Sequence, residues 1–240
     1  MGSMLTLYEL AAADPRLRFS PYCWKTRMAL AHKGLEAERL PWRFTEKDRI
    51  AFSGQGRVPV LVDEGQPVAD SWRIALHLEQ RFSDRPSLFG PAEAVPLTSF
   101  INTWADTMLS PAILRIVLLD IYRLIDEKDK AYFRRSREER FAMPLEAVVA
   151  DRPAKLAQFR GALQPLRQIL GDRRFLAGAA PAYADYCVFG MFVWPRCISE
   201  TELLERDDPV FAWRDRLLDA FDGLARSAPS VTSLKQAGSQ

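Results

Sequence analysis

Apolar residues follow two different rhythms along the chain, and the change from one to the other divides it. Leu5-Thr6-Leu7-Tyr8 sets apolar side chains at every second position, the period of a strand. Polar Ala13-Asp14-Pro15-Arg16 and the run Phe19-Ser20-Pro21-Tyr22-Cys23-Trp24 come next. A helical pattern then covers Lys25 to Lys33 and stops at Gly34, with basic His32 and Lys33 in its last turn. A weaker strand is predicted over Ala37 to Pro41. Val58-Pro59-Val60-Leu61-Val62 is the second clear strand, and Asp63-Glu64-Gly65-Gln66 reads as the turn of a hairpin leading to Val68. Asp70-Ser71 opens a helix in which Trp72, Ile74, Ala75 and Leu78 recur at helical spacing as far as Phe82. The order β-α-β then β-β-α describes a small α/β domain.

Three prolines and one glycine in the thirteen residues from Asp84 to Pro96 interrupt that rhythm. Beyond them the strand period nearly vanishes. Amphipathic segments run from Leu97 to Ile125, Ala131 to Phe141, Ala154 to Leu170, Tyr183 to Trp194 and Pro209 to Leu224, so the second half is predicted all-helical. The organisation read from this is an α/β domain over residues 4–86, a linker at 87–96, a helical domain at 97–226, and a polar, uncapped tail at 227–240 expected to lack structure. The basic run Arg134-Arg135-Ser136-Arg137-Glu138-Glu139-Arg140 mixes signs at helical spacing and is read as a solvated helix face rather than an anion patch.

Composition narrows the class. The chain has 240 residues, of which 48% are hydrophobic and 27% charged, enough apolar material to close a core and too much for a disordered chain. Thirty-three basic residues balance thirty-one acidic ones to leave a net charge of +2, which argues against a dedicated nucleic-acid binder. The longest apolar run, Tyr186 to Trp194, is about half of what spans a bilayer. No secretory leader is read, and Met1-Gly2-Ser3 ahead of Met4 is set aside as an expression scar. Three cysteines, Cys23, Cys187 and Cys197, do not make a disulfide framework and point to the reducing cytoplasm. No metal-ligand spacing occurs.

Ser20-Pro21-Tyr22-Cys23 carries the most chemistry. Serine is a favoured N-cap and proline a favoured first helical residue, so the pair can simply start a helix. The same hydroxyl, with the free amides of a helix start, also forms an anion site at the place where a thioredoxin-like unit carries its C-x-x-C pair. Serine in the first position cannot form a mixed disulfide, which disfavours dithiol chemistry. It can instead hold another molecule's thiolate. A free thiol with pKa near 8.5 is about 3% ionised at pH 7, and lowering that value to about 6.5 needs roughly 2.7 kcal/mol. A helix terminus supplies about 0.3–1 kcal/mol and a hydrogen bond to a charged group about 1.5–3, so the hydroxyl has to contribute. Val58-Pro59, if cis, would turn the Val58 backbone outward to pair with an extended peptide; a trans proline opening a strand is the ordinary alternative. Asp70-Ser71 offers a carboxylate for an ammonium and a helix start for a carboxylate, or is an ordinary cap. Arg57 is placed to meet a second carboxylate or to be solvated.

These pieces in this order, followed by an all-helical half, resemble the cytosolic glutathione transferase superfamily over about Leu5 to Leu224. The matching segments are Ser20-Pro21-Tyr22-Cys23, Gly56 to Asp63, Asp70-Ser71, and Phe175-Leu176-Ala177-Gly178 with Ala184-Asp185. The resemblance implies a thioredoxin-like domain joined to a helical bundle, glutathione as cosubstrate, no metal, and a homodimer acting on a hydrophobic electrophile with neither nucleic acid nor membrane as partner. It assigns thiol activation to Ser20, the cysteinyl backbone to Val58 beside Pro59, the γ-glutamyl end to Asp70 and Ser71, and the glycyl carboxylate to Arg57. Within the superfamily, Trp24-Lys25-Thr26-Arg27, Ala31-His32-Lys33-Gly34, Asp70-Ser71-Trp72 and Ala180 to Tyr186 are similar to the bacterial glutathione-dependent β-etherases and their fungal relatives, which cleave lignin-type β-aryl ethers. Two departures stand out: Cys23 would permit some thiol exchange, and Ala182 stands where relatives place a capping Ser or Thr, leaving Asp185 to cap. The acceptor pocket is expected from Tyr22, Trp104, Met108, Leu109, Ile113, Phe189 and Trp194, residues that a helical core would equally use. His32 is read as a helix-end charge and His77 as surface. Two other readings stay open, a carrier of hydrophobic ligands and a thiol reductase working through Cys23.

Overall fold

The computed structural model describes residues 5–237. Four strands, β1 (Leu5–Leu10), β2 (Ala37–Trp42), β3 (Val60–Asp63) and β4 (Gln66–Ala69), form one mixed sheet in the order β2-β1-β3-β4. β1 runs parallel to β2, with Leu7 opposite Arg39, and antiparallel to β3, with Leu7 opposite Leu61. Helix α1 (Pro21–His32) makes the crossover between the parallel strands, and α2 (Ser71–Arg81) follows the hairpin. The ladder begins at Val60 rather than Val58, because Pro59 has no N–H to donate. This is the thioredoxin-like unit expected.

The second half is helical: α3 (Ala94–Trp104), α4 (Ser110–Leu124), α5 (Glu127–Phe141), α6 (Leu145–Val148), α7 (Arg152–Ala162), α8 (Gln164–Asp172), α9 (Tyr183–Ile198), α10 (Pro209–Gly223) and α11 (Val231–Ala237). Several boundaries differ from the periodic reading, each for a local reason. The segment from Leu97 to Ile125 is two helices joined by a π-helical turn, Ala105–Leu109, which absorbs the N–H missing at Pro111. Ala154 to Leu170 breaks at Leu163, before Pro165 in the first turn of α8. α5 starts at Glu127 because the Asp126 side chain accepts from Lys128 N at 3.2 Å, a cap that apolar periodicity does not reveal. Helical geometry in α10 fails at Phe221 and Asp222, both at positive φ. The tail expected to lack structure forms α11, capped reciprocally by Ser230 and Ser233 through bonds of 2.9 and 3.2 Å; residues 238–240 lie outside the described range.

Helices α1 and α9 seal the two halves together. Nearly every α1 residue is buried, and so is nearly every α9 residue, so neither shows a polar face. Their closest approach needs Gly190, where a Cβ would meet the Pro21 carbonyl oxygen at 2.5 Å. Lys25 of α1 is wholly buried and donates to Asn102 Oδ1 at 2.7 Å and Asp106 Oδ1 at 2.5 Å. The π-helical turn sets Asp106 at that junction, and burial raises its carboxyl above the usual range despite the lysine. A second tie joins α5 to the loop after β2: Asp129 accepts from the amides of Phe44 and Thr45, each at 3.0 Å.

One buried charge is poorly served. Glu9 of β1 is fully buried, Arg27 Nε lies 3.8 Å away, and among the described residues neither carboxylate oxygen meets a hydrogen-bond donor. Burial therefore raises its carboxyl above 4.5, the surrounding arginines notwithstanding. A folded-state value above the unfolded one means the folded chain binds this proton more tightly, so the cost is absent below pH 4.5 and grows as pH rises through the folded value. Glu9→Gln is expected to raise the melting temperature at pH 8, with the gain closing as pH falls toward 4.5, in melting curves recorded across that range. A gain independent of pH would remove the carboxyl as its cause.

Candidate active site

Ser20 is the N-cap of α1, with extended dihedrals (φ −61°, ψ 127°) and its Oγ accepting from Cys23 N at 3.4 Å. That long bond occupies a lone pair, and within the protein the hydroxyl is the hydrogen-bonding neighbour of the Cys23 thiol. The side chain is only 4% exposed, and it lines a cavity of about 440 Å³ between the two domains. Tyr22, Arg57 and Val58 share the wall on the sheet-domain side; Leu114 of α4, Arg137 of α5 and Trp194 of α9 contribute from the helical side.

The predicted residues part company here. Ser20, Tyr22, Arg57, Val58 and Trp194 come together around one cavity. Pro59 is buried behind it, in a cis peptide bond with Val58. Asp70 and Ser71 stand beyond Pro59, linked to it by a hydrogen bond from Asp70 N to the Pro59 carbonyl at 3.4 Å. Asp70 Oδ1 accepts from Trp72 N at 2.9 Å and Arg73 N at 3.2 Å, which leaves Oδ2 for another donor. Ser71 is buried, and its carbonyl accepts from the Tyr183 hydroxyl at 2.8 Å. Trp104 and Met108, placed in the acceptor pocket by sequence, instead line a separate hollow of about 370 Å³ with Arg115 and Lys155. Ile113, Leu109 and Phe189 are core. Apolar residues at helical spacing look alike whether they face a cavity or a neighbouring helix.

Cys23 is 1% exposed, and burial, reinforced by Glu9 nearby, pushes its thiol up to about 12. A neutral, inaccessible thiol neither attacks nor exchanges, so the redox role considered for Cys23 has no support in the structure. Partial burial likewise pushes His32 down from its ordinary range, and its Nδ1 lies 2.7 Å from the Tyr186 hydroxyl, so it is a neutral, half-buried imidazole rather than a helix-end charge. His77 pairs with Asp63 at 2.8 Å. Neither histidine belongs to the Ser20 cavity. Burial, first of all, raises the Tyr22 phenol above its ordinary value, with the Ser110 side chain acting the other way.

Sequence reasoning missed Lys47, Tyr132, Arg137 and Arg140, all on the cavity wall. Lys47 donates to the Gly56 carbonyl at 2.5 Å and lies over the rings of Trp42 and Tyr132. The basic run of α5, read as one solvated face, is divided between two. Arg134 pairs with Glu138 and Glu146, each at 2.8 Å, on the outer side. Phe133, Ser136, Arg137 and Arg140, at i, i+3, i+4 and i+7, make the stripe that faces the cavity. Helical spacing counted residue by residue could have separated them.

Comparison with known proteins agrees with this architecture. Residues 97–221 match the glutathione S-transferase C-terminal domain model, and residues 19–81 match that of the glutathione S-transferase N-terminal domain. The chain belongs to the glutathione S-transferase family. A probable glutathione S-transferase, GSTU1 of Oryza sativa subsp. indica, is 26% identical over 228 residues, covering 88% of this chain and 86% of that protein. Among solved structures, a glutathione S-transferase of Ceriporiopsis subvermispora in complex with glutathione superposes with a TM-score of 0.79 at 20% identity, over 94% of this chain and 99% of that one. Glutathione transferase GSTFuA3 of Phanerochaete chrysosporium gives 0.73 at 23% identity, over 92% of each chain. Among the described residues no cluster of His, Cys, Asp and Glu could hold a metal ion, and no helix is long and apolar enough to cross a membrane.

Proposed function

We propose that the protein is a glutathione transferase in which the Ser20 hydroxyl donates a hydrogen bond to the glutathione thiolate and stabilises it. The observation that carries this reading is the Ser20 hydroxyl itself, buried at the start of α1 and on the cavity wall. Arg57 and Val58 on the same wall suit the glycyl carboxylate and the cysteinyl backbone, and the spare Oδ2 of Asp70, with Ser71 beside it, suits the γ-glutamyl ammonium. A relative solved in complex with glutathione shares the fold. The thiolate then attacks a hydrophobic electrophile: a carbon–sulfur bond forms and the leaving group departs with its electron pair. Cleavage of β-aryl ethers, with a phenolate as that leaving group, is the finer reaction we favour, supported by the aromatic wall of Tyr22, Tyr132 and Trp194. The three cysteines are buried and free, which supports a cytoplasmic protein.

Ultraviolet titration of glutathione bound to the protein tests the central claim. A bound thiol pKa lowered by about one unit or more is expected. An unshifted value would leave a carrier of glutathione and hydrophobic ligands in place of the enzyme. The homodimer is proposed on the same footing: Leu97 and Phe100 lie one turn apart on α3 and are 69% and 71% exposed, an apolar edge that a second copy would cover. Sedimentation at the mass of two chains is expected; a single-chain mass would overturn it.

A further inference from the structure

The cavity beside Ser20 is lined by four cationic residues, Lys47, Arg57, Arg137 and Arg140, and by no Asp or Glu. Lys47 is engaged by the Gly56 carbonyl, and the transferase reading engages Arg57 with the glycyl carboxylate. Arg137 and Arg140 are left over. Among the described residues neither forms an ion pair, although the flanking arginine on the outer face of the same helix has two carboxylates. Arg137 lies over the rings of Phe44 and Phe133, which hold the guanidinium against the wall. Its Nε is buried without an acceptor, and so is the indole Nε1 of Trp194 on the same cavity. Buried donors without acceptors are uncommon in folded proteins, because each forfeits hydrogen bonds it had in water. Burial and the neighbouring Arg140 and Arg57 also lower the Arg137 pKa, so the protein itself supplies repulsion there. Two guanidiniums without a carboxylate, Arg137 meeting the Ser136 hydroxyl at 2.9 Å and Arg140 exposed, and an indole N–H without an acceptor give one cavity donors to spare for a ligand.

Resting on the transferase reading, we infer that the second substrate is an aromatic electrophile bearing an anionic group, such as a carboxylate, and that Arg137 and Arg140 hold this group while Ser20 holds the thiolate. The two arginines are binding residues and take no part in bond making. They fix the electrophile by its charge and present its reacting carbon to the sulfur. Without that anion the cavity would keep its uncompensated positive charge when loaded.

A matched pair of reagents tests this: 4-chloro-3,5-dinitrobenzoate and its neutral counterpart 2-chloro-1,3-dinitrobenzene. In both, the thiolate attacks the carbon bearing chlorine, the carbon–sulfur bond forms, and chloride leaves. The wild-type protein is expected to favour the carboxylate by kcat/KM. In the double variant Arg137→Gln/Arg140→Gln the ratio of carboxylate to neutral kcat/KM is expected to fall about tenfold or more, and the Arg137→Lys/Arg140→Lys protein to retain most of it. Equal losses with both reagents would overturn the inference, as would a rise in the KM for glutathione large enough to account for the loss, since the arginines would then hold glutathione itself. A calorimetric comparison of 3,5-dinitrobenzoate with 1,3-dinitrobenzene, neither of which reacts, keeps the inference testable apart from turnover. Tighter binding of the acid, lost in the Gln variant, would sustain it even if no conjugation occurred and the transferase reading fell. Equal binding of the two would end it.

Discussion

Asp185→Ala is expected to destabilise the chain by about 3–5 kcal/mol, the cost of removing a buried charge from its partners. The carboxylate accepts from Leu176 N at 2.8 Å, Ala177 N at 3.2 Å, Ala182 N at 3.1 Å and the Trp213 indole at 2.8 Å. Those donors come from the loop before α9, from the start of α9 and from α10, so one side chain closes three segments over the core. Ala182, the N-cap residue, has no side-chain oxygen to share the task, as its sequence position implied. Alanine leaves four N–H groups without this acceptor, the buried Trp213 indole among them, at a position where the carboxylate itself is wholly buried. The denaturant midpoint is expected to fall with an unchanged slope, and the melting temperature to drop by roughly 10 °C. A change below about 1 kcal/mol would mean that the donors find new partners and that the segment does not depend on this carboxylate.

What could be read from the chain beforehand follows from how local each cause is. Helix α1 announced itself because Ser20, Pro21 and Gly34 punctuate it, and the β3–β4 hairpin because Gly65 sits in its turn. Ser20, Val58 and Asp70 stood out as candidates for the same reason, each being special to its own few residues of backbone, and the first two line one cavity. Trp104 and Met108 were not distinguishable from wall residues, since which side of a helix meets a cavity depends on the neighbouring helix. Arg137 and Arg140 were hidden by Glu138 and Glu139: adjacent in sequence, these point about 100° and 200° round the helix from Arg137, so a local count of charge averages two faces into one. The fate of Cys23 was out of reach too, because its burial depends on partners such as Glu9, fourteen positions away in the sequence.

Ser20→Ala is expected to lower kcat/KM by about 10- to 150-fold at pH 6.5–7, the worth of a hydrogen bond to a charged group of about 1.5–3 kcal/mol. Loss of structure does not account for this, because the Cys23 N to Ser20 Oγ contact that the variant removes is 3.4 Å long and contributes little to the cap. The pH profile distinguishes ionisation from positioning. Glutathione free of the hydroxyl ionises near pH 8.5, so the variant should gain rate steadily up to about that pH, whereas the wild-type protein, holding thiolate already, should level off from about pH 6.5. The deficit is therefore largest below pH 7 and narrows as the solution performs the deprotonation that Ser20 otherwise promotes. Bound-thiol absorbance should move in parallel, returning to the value of free glutathione. Ser20→Thr keeps the hydroxyl and should keep most of the activity. A deficit of constant size from about pH 6 to 9 would show that Ser20 aims the sulfur without favouring its charge, and the activation of the thiol would then have to come from the α1 amides alone.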